Sequence, residues 1–103
     1  MNLNQLTYFV TLAQIENYTR AAKRLDITQP SLSHAISNLE KELQVPLFER
    51  HGRNVTMTKY GEMFLKYVQD SLHTLDLGVE RIQEAARIQG GSISIGYIHT
   101  QGR

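Results

Sequence analysis

The chain has no cysteine and no tryptophan, and only two prolines among 103 residues. Without cysteine there is no disulfide, no thiolate nucleophile and no thiolate metal site. No apolar run reaches the roughly 18 residues of a membrane-spanning helix, and the first residues lack the apolar core of a secretory signal. These two absences fit a cytoplasmic protein. An excess of one charge is missing too: 11 Lys and Arg face 10 Asp and Glu, a formal net charge of +1. That total does not by itself point to nucleic acid, so placement must carry any electrostatic reading. Residues 1–61 hold seven bases (Arg20, Lys23, Arg24, Lys41, Arg50, Arg53, Lys59) and five acids, whereas residues 62–103 hold four bases and five acids.

What is present is a globular composition, 41% apolar and 20% charged, at a length that suits one small domain with an appendage. Asn2 and Gln5 form a capping-box pattern, after which Leu3, Leu6, Phe9, Val10 and Ala13 recur at helical spacing. This first helix should fade near Ile15–Glu16. Asn17 is a good cap for a short second helix over Tyr18–Leu25, with Ala21, Ala22 and Leu25 inward and Arg20, Lys23 and Arg24 outward. The paired alanines allow a close helix crossing.

Asp26-Ile27 makes a tight turn, and Thr28 caps a third helix whose first turn tolerates Pro30. Leu32, Ile36, Leu39 and Leu43 form its buried stripe. Its other face presents Gln29, Ser33, His34, Ser37 and Lys41. Leu47–Arg50 and Asn54–Met57 read as two short strands around a tip of His51, Gly52 and Arg53. Phe48, Val55 and Met57 can bury on one side of this hairpin.

Thr58 reads as the cap of a last helix that stays periodic to about Gln89. Phe64, Val68, Leu72, Leu75, Val79, Ile82 and Ala86 follow one another at spacings of three and four, a dimer seam. About 31 helical residues at 1.5 Å each would reach about 46 Å, more than a domain this small can bury against itself. Such a helix wants a partner, most simply its own copy. Gly90-Gly91 breaks it, and residues 92–98 alternate like a strand that opens a further domain, so the chain reads as a fragment. The expected organisation is 1–57 as the module proper, 58–89 as linker and dimerisation helix, and 90–103 as the start of a further domain.

Two helices joined by a tight turn, then a third with one apolar face, define a helix-turn-helix. With the hairpin, the expected fold is mainly α: a winged helix-turn-helix of three helices and a two-stranded wing, followed by a long dimerisation helix. The apolar stripe anchors the third helix, leaving its opposite face and N-terminus free for the major groove of double-stranded DNA. Gln29 can donate and accept together, which suits an adenine edge. Thr28, Ser31 and Ser33 are short hydroxyls that reach phosphates, and His34 can reach a base edge or a phosphate. Thr19 and Arg20 open the second helix, where free N–H groups favour a phosphate. Arg50 and Arg53 flank the third helix on the wing, and Thr58 can touch the backbone. For Ser37 and Lys41 a plain solvated face is the better reading, and the Arg50 stem could simply cover Phe48.

From Leu6 to Gly61 these residues resemble the N-terminal domain of LysR-type transcriptional regulators. The resemblance is carried by Tyr18-Thr19-Arg20-Ala21-Ala22, Leu25, Thr28-Gln29-Pro30-Ser31-Leu32-Ser33, Ile36, Leu39-Glu40, Leu43, Leu47-Phe48-Glu49-Arg50, Thr58 and Gly61. It implies a homodimer through the linker helices, tetramers in full-length members, and binding to an interrupted palindrome. It also implies a small-molecule inducer taken by a domain missing from this chain. By the family motif, Thr28, Gln29, Pro30, Ser31, Ser33, His34, Arg50 and Arg53 are the DNA-contacting positions. Glu16-Asn17 stands where Gly-Ser is common, Gln44 where glycine is common, and His34 where arginine is common. The first two are expected to alter turns only.

The alternative is a winged-helix and coiled-coil module that assembles proteins without nucleic acid. An enzyme is not expected. The four histidines (His34, His51, His73, His99) fall in different elements without ligand spacing. Ser31, Ser33 and His34 come with no nucleophile elbow or orienting acid. Gly90-Gly91 and Gly96 lack the spacing and lysine of a phosphate loop. No cofactor or metal is expected.

Overall fold

The computed structural model describes residues 1–88. The strand expected over 92–98 lies outside them. In order, the elements are α1 (Leu3–Ile15), α2 (Tyr18–Leu25), α3 (Gln29–Leu43), β1 (Phe48–His51), β2 (Asn54–Met57) and α4 (Lys59–Ile88). Tertiary contacts divide the chain into one unit of Met1–Gln69 and a second from Asp70 onward.

In the first unit the helix starts are set by side chains. The capping box of Asn2 and Gln5 is complete. Asn17 accepts from the Arg20 N–H, and Thr28 from the Ser31 N–H. Each satisfies a donor that a first helical turn leaves free. The first three helices all end in a left-handed residue that is not glycine: Glu16 (φ 63°), Asp26 (φ 61°) and Gln44 (φ 64°). Each of these residues sends its N–H back to a helix carbonyl and closes the last turn.

The core lies where α1, α2, α3 and the hairpin meet. The Phe9 ring is its centre, 5.5 Å from the Phe48 ring and 5.4 Å from the Phe64 ring. Leu32, Ile36 and Leu39 are fully buried, as the stripe on α3 requires. On α1 the expected stripe shifts. Leu12 is fully buried, whereas Leu3, in the first turn, is 55% exposed. A helix packed against both α2 and α3 buries a wider sector than a single stripe.

The hairpin pairs Phe48 with Met57, Glu49 with Thr56, Arg50 with Val55 and His51 with Asn54. Leu47 falls just before β1, not within it as expected, and is fully buried. Gly52 takes φ 70° as the first residue of the turn, where a hairpin needs a positive φ. Asn17 forms an isolated antiparallel bridge with Asn54, so the α1–α2 junction lies against the start of β2.

Gly61 lies where α4 passes the start of the hairpin. A Cβ there would run into the Leu47 carbonyl oxygen, with the Met57 Cβ 3.2 Å away. In the second unit, Leu75 and Ile82 are 50% and 63% exposed, and Leu72, Val79 and Ala86 are half-buried. No described helix is long and apolar enough to cross a membrane.

Candidate nucleic-acid interface

The cap and first two turns of α3 carry six of the eleven expected contact residues. Thr28, Pro30, Ser31 and His34 are exposed, while Gln29 and Ser33 are half-buried. The Thr28 hydroxyl accepts from the Ser31 N–H at 3.2 Å and donates to Ser31 Oγ at 2.9 Å. Thr28 is therefore occupied by capping, and Ser31 keeps its own proton for an outside acceptor. At the start of α2, Arg20 is exposed and Thr19 half-buried.

The hairpin sits beside these helices through backbone bonds as well as packing. The Tyr18 N–H donates to the Arg53 carbonyl at 3.0 Å, and the Val55 N–H to the Glu16 carbonyl at 3.0 Å. The Asn17 amide donates to Asn54 Oδ1 at 2.9 Å. The turn end of the wing is thus fastened to the α1–α2 junction through its backbone, while the Arg53 side chain stays exposed.

Arg50 stands directly opposite Val55, so it projects from the buried face of the hairpin. Its guanidinium lies 4.2 Å from the centroid of the Tyr18 ring. The charged end of this side chain thus lies over Tyr18. Among the described residues the guanidinium takes part in no ion pair. Tyr18 is itself buried. Burial pushes its hydroxyl above the usual tyrosine range, the Arg50 charge pulls it back, and the Glu40 charge adds to the rise.

Three other expected site residues are engaged inside the first unit. Thr58 Oγ1 donates to the Pro46 carbonyl at 2.6 Å and accepts from the Gly61 N–H. In this structure its one proton goes to the Pro46 carbonyl, and the cap expected at Thr58 is formed. Phe64 leans on Phe9, and Val68 is 3% exposed. The seam reading assigned both to a partner helix, yet both pack in their own chain because this stretch of α4 covers the core.

Sequence reasoning missed the roles of Tyr18, Asn54 and Glu40. Glu40 Oε2 accepts from the Leu47 and Phe48 N–H groups at 2.7 and 3.2 Å. An acid in the last turn of a helix, where the dipole disfavours it, was the available signal.

A tight turn between α2 and α3, an exposed first turn of α3 and a two-stranded hairpin beside them define a winged helix-turn-helix. Residues 3–62 match the family of bacterial regulatory helix-turn-helix proteins, lysR family. That match takes in more than half of the chain, and the chain belongs to this family. It is 45% identical over 102 residues, 99% of its length, to the HTH-type transcriptional regulator YybE of Bacillus subtilis (strain 168). It spans 35% of that relative. Among solved structures it is similar to the BenM DNA-binding domain in complex with catB site 1 DNA (TM-score 0.82, 38% identity, 86% of this chain and 96% of that one). It is also similar to the CbnR DNA-binding domain in complex with DNA (TM-score 0.79, 35% identity, 84% and 99%).

Proposed function

We propose that this chain is the DNA-binding portion of a LysR-type transcription regulator, which reads an interrupted palindrome as a homodimer. Residues 1–57 form the reading module and residues 58–89 join the copies. The observation that carries the reading is the N-terminal part of α3, where Ser31 and His34 are exposed and Gln29 is half-buried, with the wing alongside. It is supported by the similarity to BenM and CbnR domains that were solved on DNA.

In this reading Gln29 meets a base edge, and Ser31, Ser33 and His34 meet bases or phosphates at the groove wall. Arg20 and Thr19 hold a phosphate at the start of α2, while Arg50 and Arg53 follow the backbone from the wing. The exposed Leu75 and Ile82, with Leu72, Val79 and Ala86 beside them, support pairing of two linker helices. The protein works in the cytoplasm and catalyses no reaction; a small-molecule inducer and tetramer assembly belong to a longer form.

Selection of bound duplexes from a random pool tests the proposal. Two half-sites in inverted orientation at a fixed spacing are expected. A pool that shows no enrichment would refute it.

A further inference from the structure

We infer that Glu40 is the positioning residue of the wing. Glu40 lies in the last turn of α3, where the helix dipole disfavours an acid, so local helix physics gives no reason for it. Tertiary structure supplies one. Oε2 accepts two backbone hydrogen bonds, from Leu47 at 2.7 Å and from Phe48 at 3.2 Å. Leu47 is fully buried and Phe48 nearly so, and among the described residues the Glu40 carboxylate is the acceptor found for both N–H groups. Buried donors without a partner are costly, and bonds to an ionised acceptor are the stronger kind.

The carbonyl side of the same segment is held from α4. Pro46 accepts the Thr58 hydroxyl, and Leu47 accepts the Thr58 N–H at 3.0 Å. Pro46–Phe48 is therefore gripped by α3 through its N–H groups and by the start of α4 through its carbonyls. Arg50 lies two residues beyond Phe48 on the same face of the strand. The Glu40 carboxylate thereby sets where the wing stands relative to the helix that bears Gln29 and His34. Its charge is taken up by backbone donors, and among the described residues it forms no ion pair with Arg50. The wing arginine thus remains available to a phosphate.

This inference rests on the DNA-binding reading. Its test compares the full chain with Glu40→Ala and Glu40→Gln on one selected duplex, across a salt series, at a temperature where all three are folded. In Glu40→Ala the first strand of the wing loses the anchor of its Leu47 and Phe48 N–H groups. The slope of log affinity against log salt should become shallower by about 1 to 2, the contribution of one or two phosphate contacts. Discrimination between selected and unselected duplexes, which α3 provides, should remain. Glu40→Gln keeps an oxygen acceptor and should restore most of the slope. Amide exchange at Leu47 and Phe48 should speed up in the alanine variant and recover in the glutamine variant. A general loss of stability would move the melting temperature without this split.

A folded Glu40→Ala with the parent's slope overturns the inference. Should that variant not fold, Glu40→Asp, one methylene too short to span the gap, answers the same question by the same slope. Absence of salt-dependent binding by the parent is a different failure, visible before any variant is made, and it refutes the DNA-binding reading itself.

Discussion

The Arg50 guanidinium stacks on the face of the Tyr18 ring, 4.2 Å from its centroid, and so joins the wing to the first residue of α2. A cation over an aromatic face contributes about 0.5–2 kcal/mol, more as the pair is desolvated. The contact restricts a long, flexible side chain, which lowers the ordering cost of meeting a phosphate. Tyr18→Leu should weaken DNA binding by about twofold to thirtyfold on that scale. Tyr18→Phe should bind as the parent does. Fluorescence anisotropy on one duplex at fixed salt checks both, and equal affinities for Leu and Phe at this position would contradict the stacking role.

The same tyrosine predicts an alkaline limb of stability. Its pKa is raised in the folded chain, chiefly by burial. Above about pH 10, the ordinary tyrosine value, the unfolded state loses the phenolic proton first, so stability falls as pH rises toward the folded value. Below pH 10 both states keep the proton and the group contributes no pH dependence. Urea unfolding at pH 9 and at pH 10.5 should show a smaller fall for Tyr18→Phe than for the parent. Parallel curves would contradict the shift.

Base reading and backbone holding separate by variant. Gln29→Ala should cost about 1–3 kcal/mol on the selected duplex and relax the preference at one base position. Arg53→Ala, at the exposed wing tip, should weaken binding to all duplexes alike and reduce the salt slope by about 0.9. A Gln29→Ala protein that ranks duplexes as the parent does would remove Gln29 from base reading.

One substitution should act with opposite signs along α4. Gly61→Ala pushes a Cβ into the Leu47 carbonyl and should destabilise the chain by about 1–3 kcal/mol. Among the described residues nothing beyond its own helical turn lies within 4 Å of a Cβ at Gly78, so Gly78→Ala should stabilise the helix by about 0.5–1 kcal/mol. Denaturant midpoints, and helicity in the case of Gly78, report the two effects. A Gly78→Ala chain of lower helicity would contradict the second.

Glu16 and Gln44 stand in left-handed backbone at φ 63° and 64°. Residues with a Cβ are strained there by about 1–2 kcal/mol, while glycine is not. The flexibility of an unfolded glycine offsets part of this gain. Glu16→Gly and Gln44→Gly should therefore each raise stability by about 0.5–1 kcal/mol. Asp26→Gly should gain less, because aspartate tolerates this conformation better. Denaturant midpoints that fail to rise for Glu16 and Gln44 would show that the surroundings relieve the strain.

Helix starts and the α3 stripe were legible because they rest on short-range physics. Asn2, Asn17 and Thr28 each cap a donor three residues away, and Leu32, Ile36 and Leu39 repeat at the helical period. The family motif was legible for the same reason, since its residue order follows the order of turns and caps. Gln44 and Glu16 stood out in the sequence as departures from glycine, and the left-handed backbone that makes them strained is itself a local feature.

By itself, then, the chain's order of residues determined three helices, a wing and a long last helix, together with the face of α3 that stays outside. Only tertiary structure decided which partner each long side chain takes: Tyr18 for Arg50, the Leu47 and Phe48 amides for Glu40, the Pro46 carbonyl for Thr58. It also decided that Phe64 and Val68 pack within their own chain. Capping and periodicity act over three or four residues and can be read along the chain. Partners across elements depend on how helices and hairpin pack, and many polar or apolar neighbours would satisfy the same side chain equally well until that packing selects one.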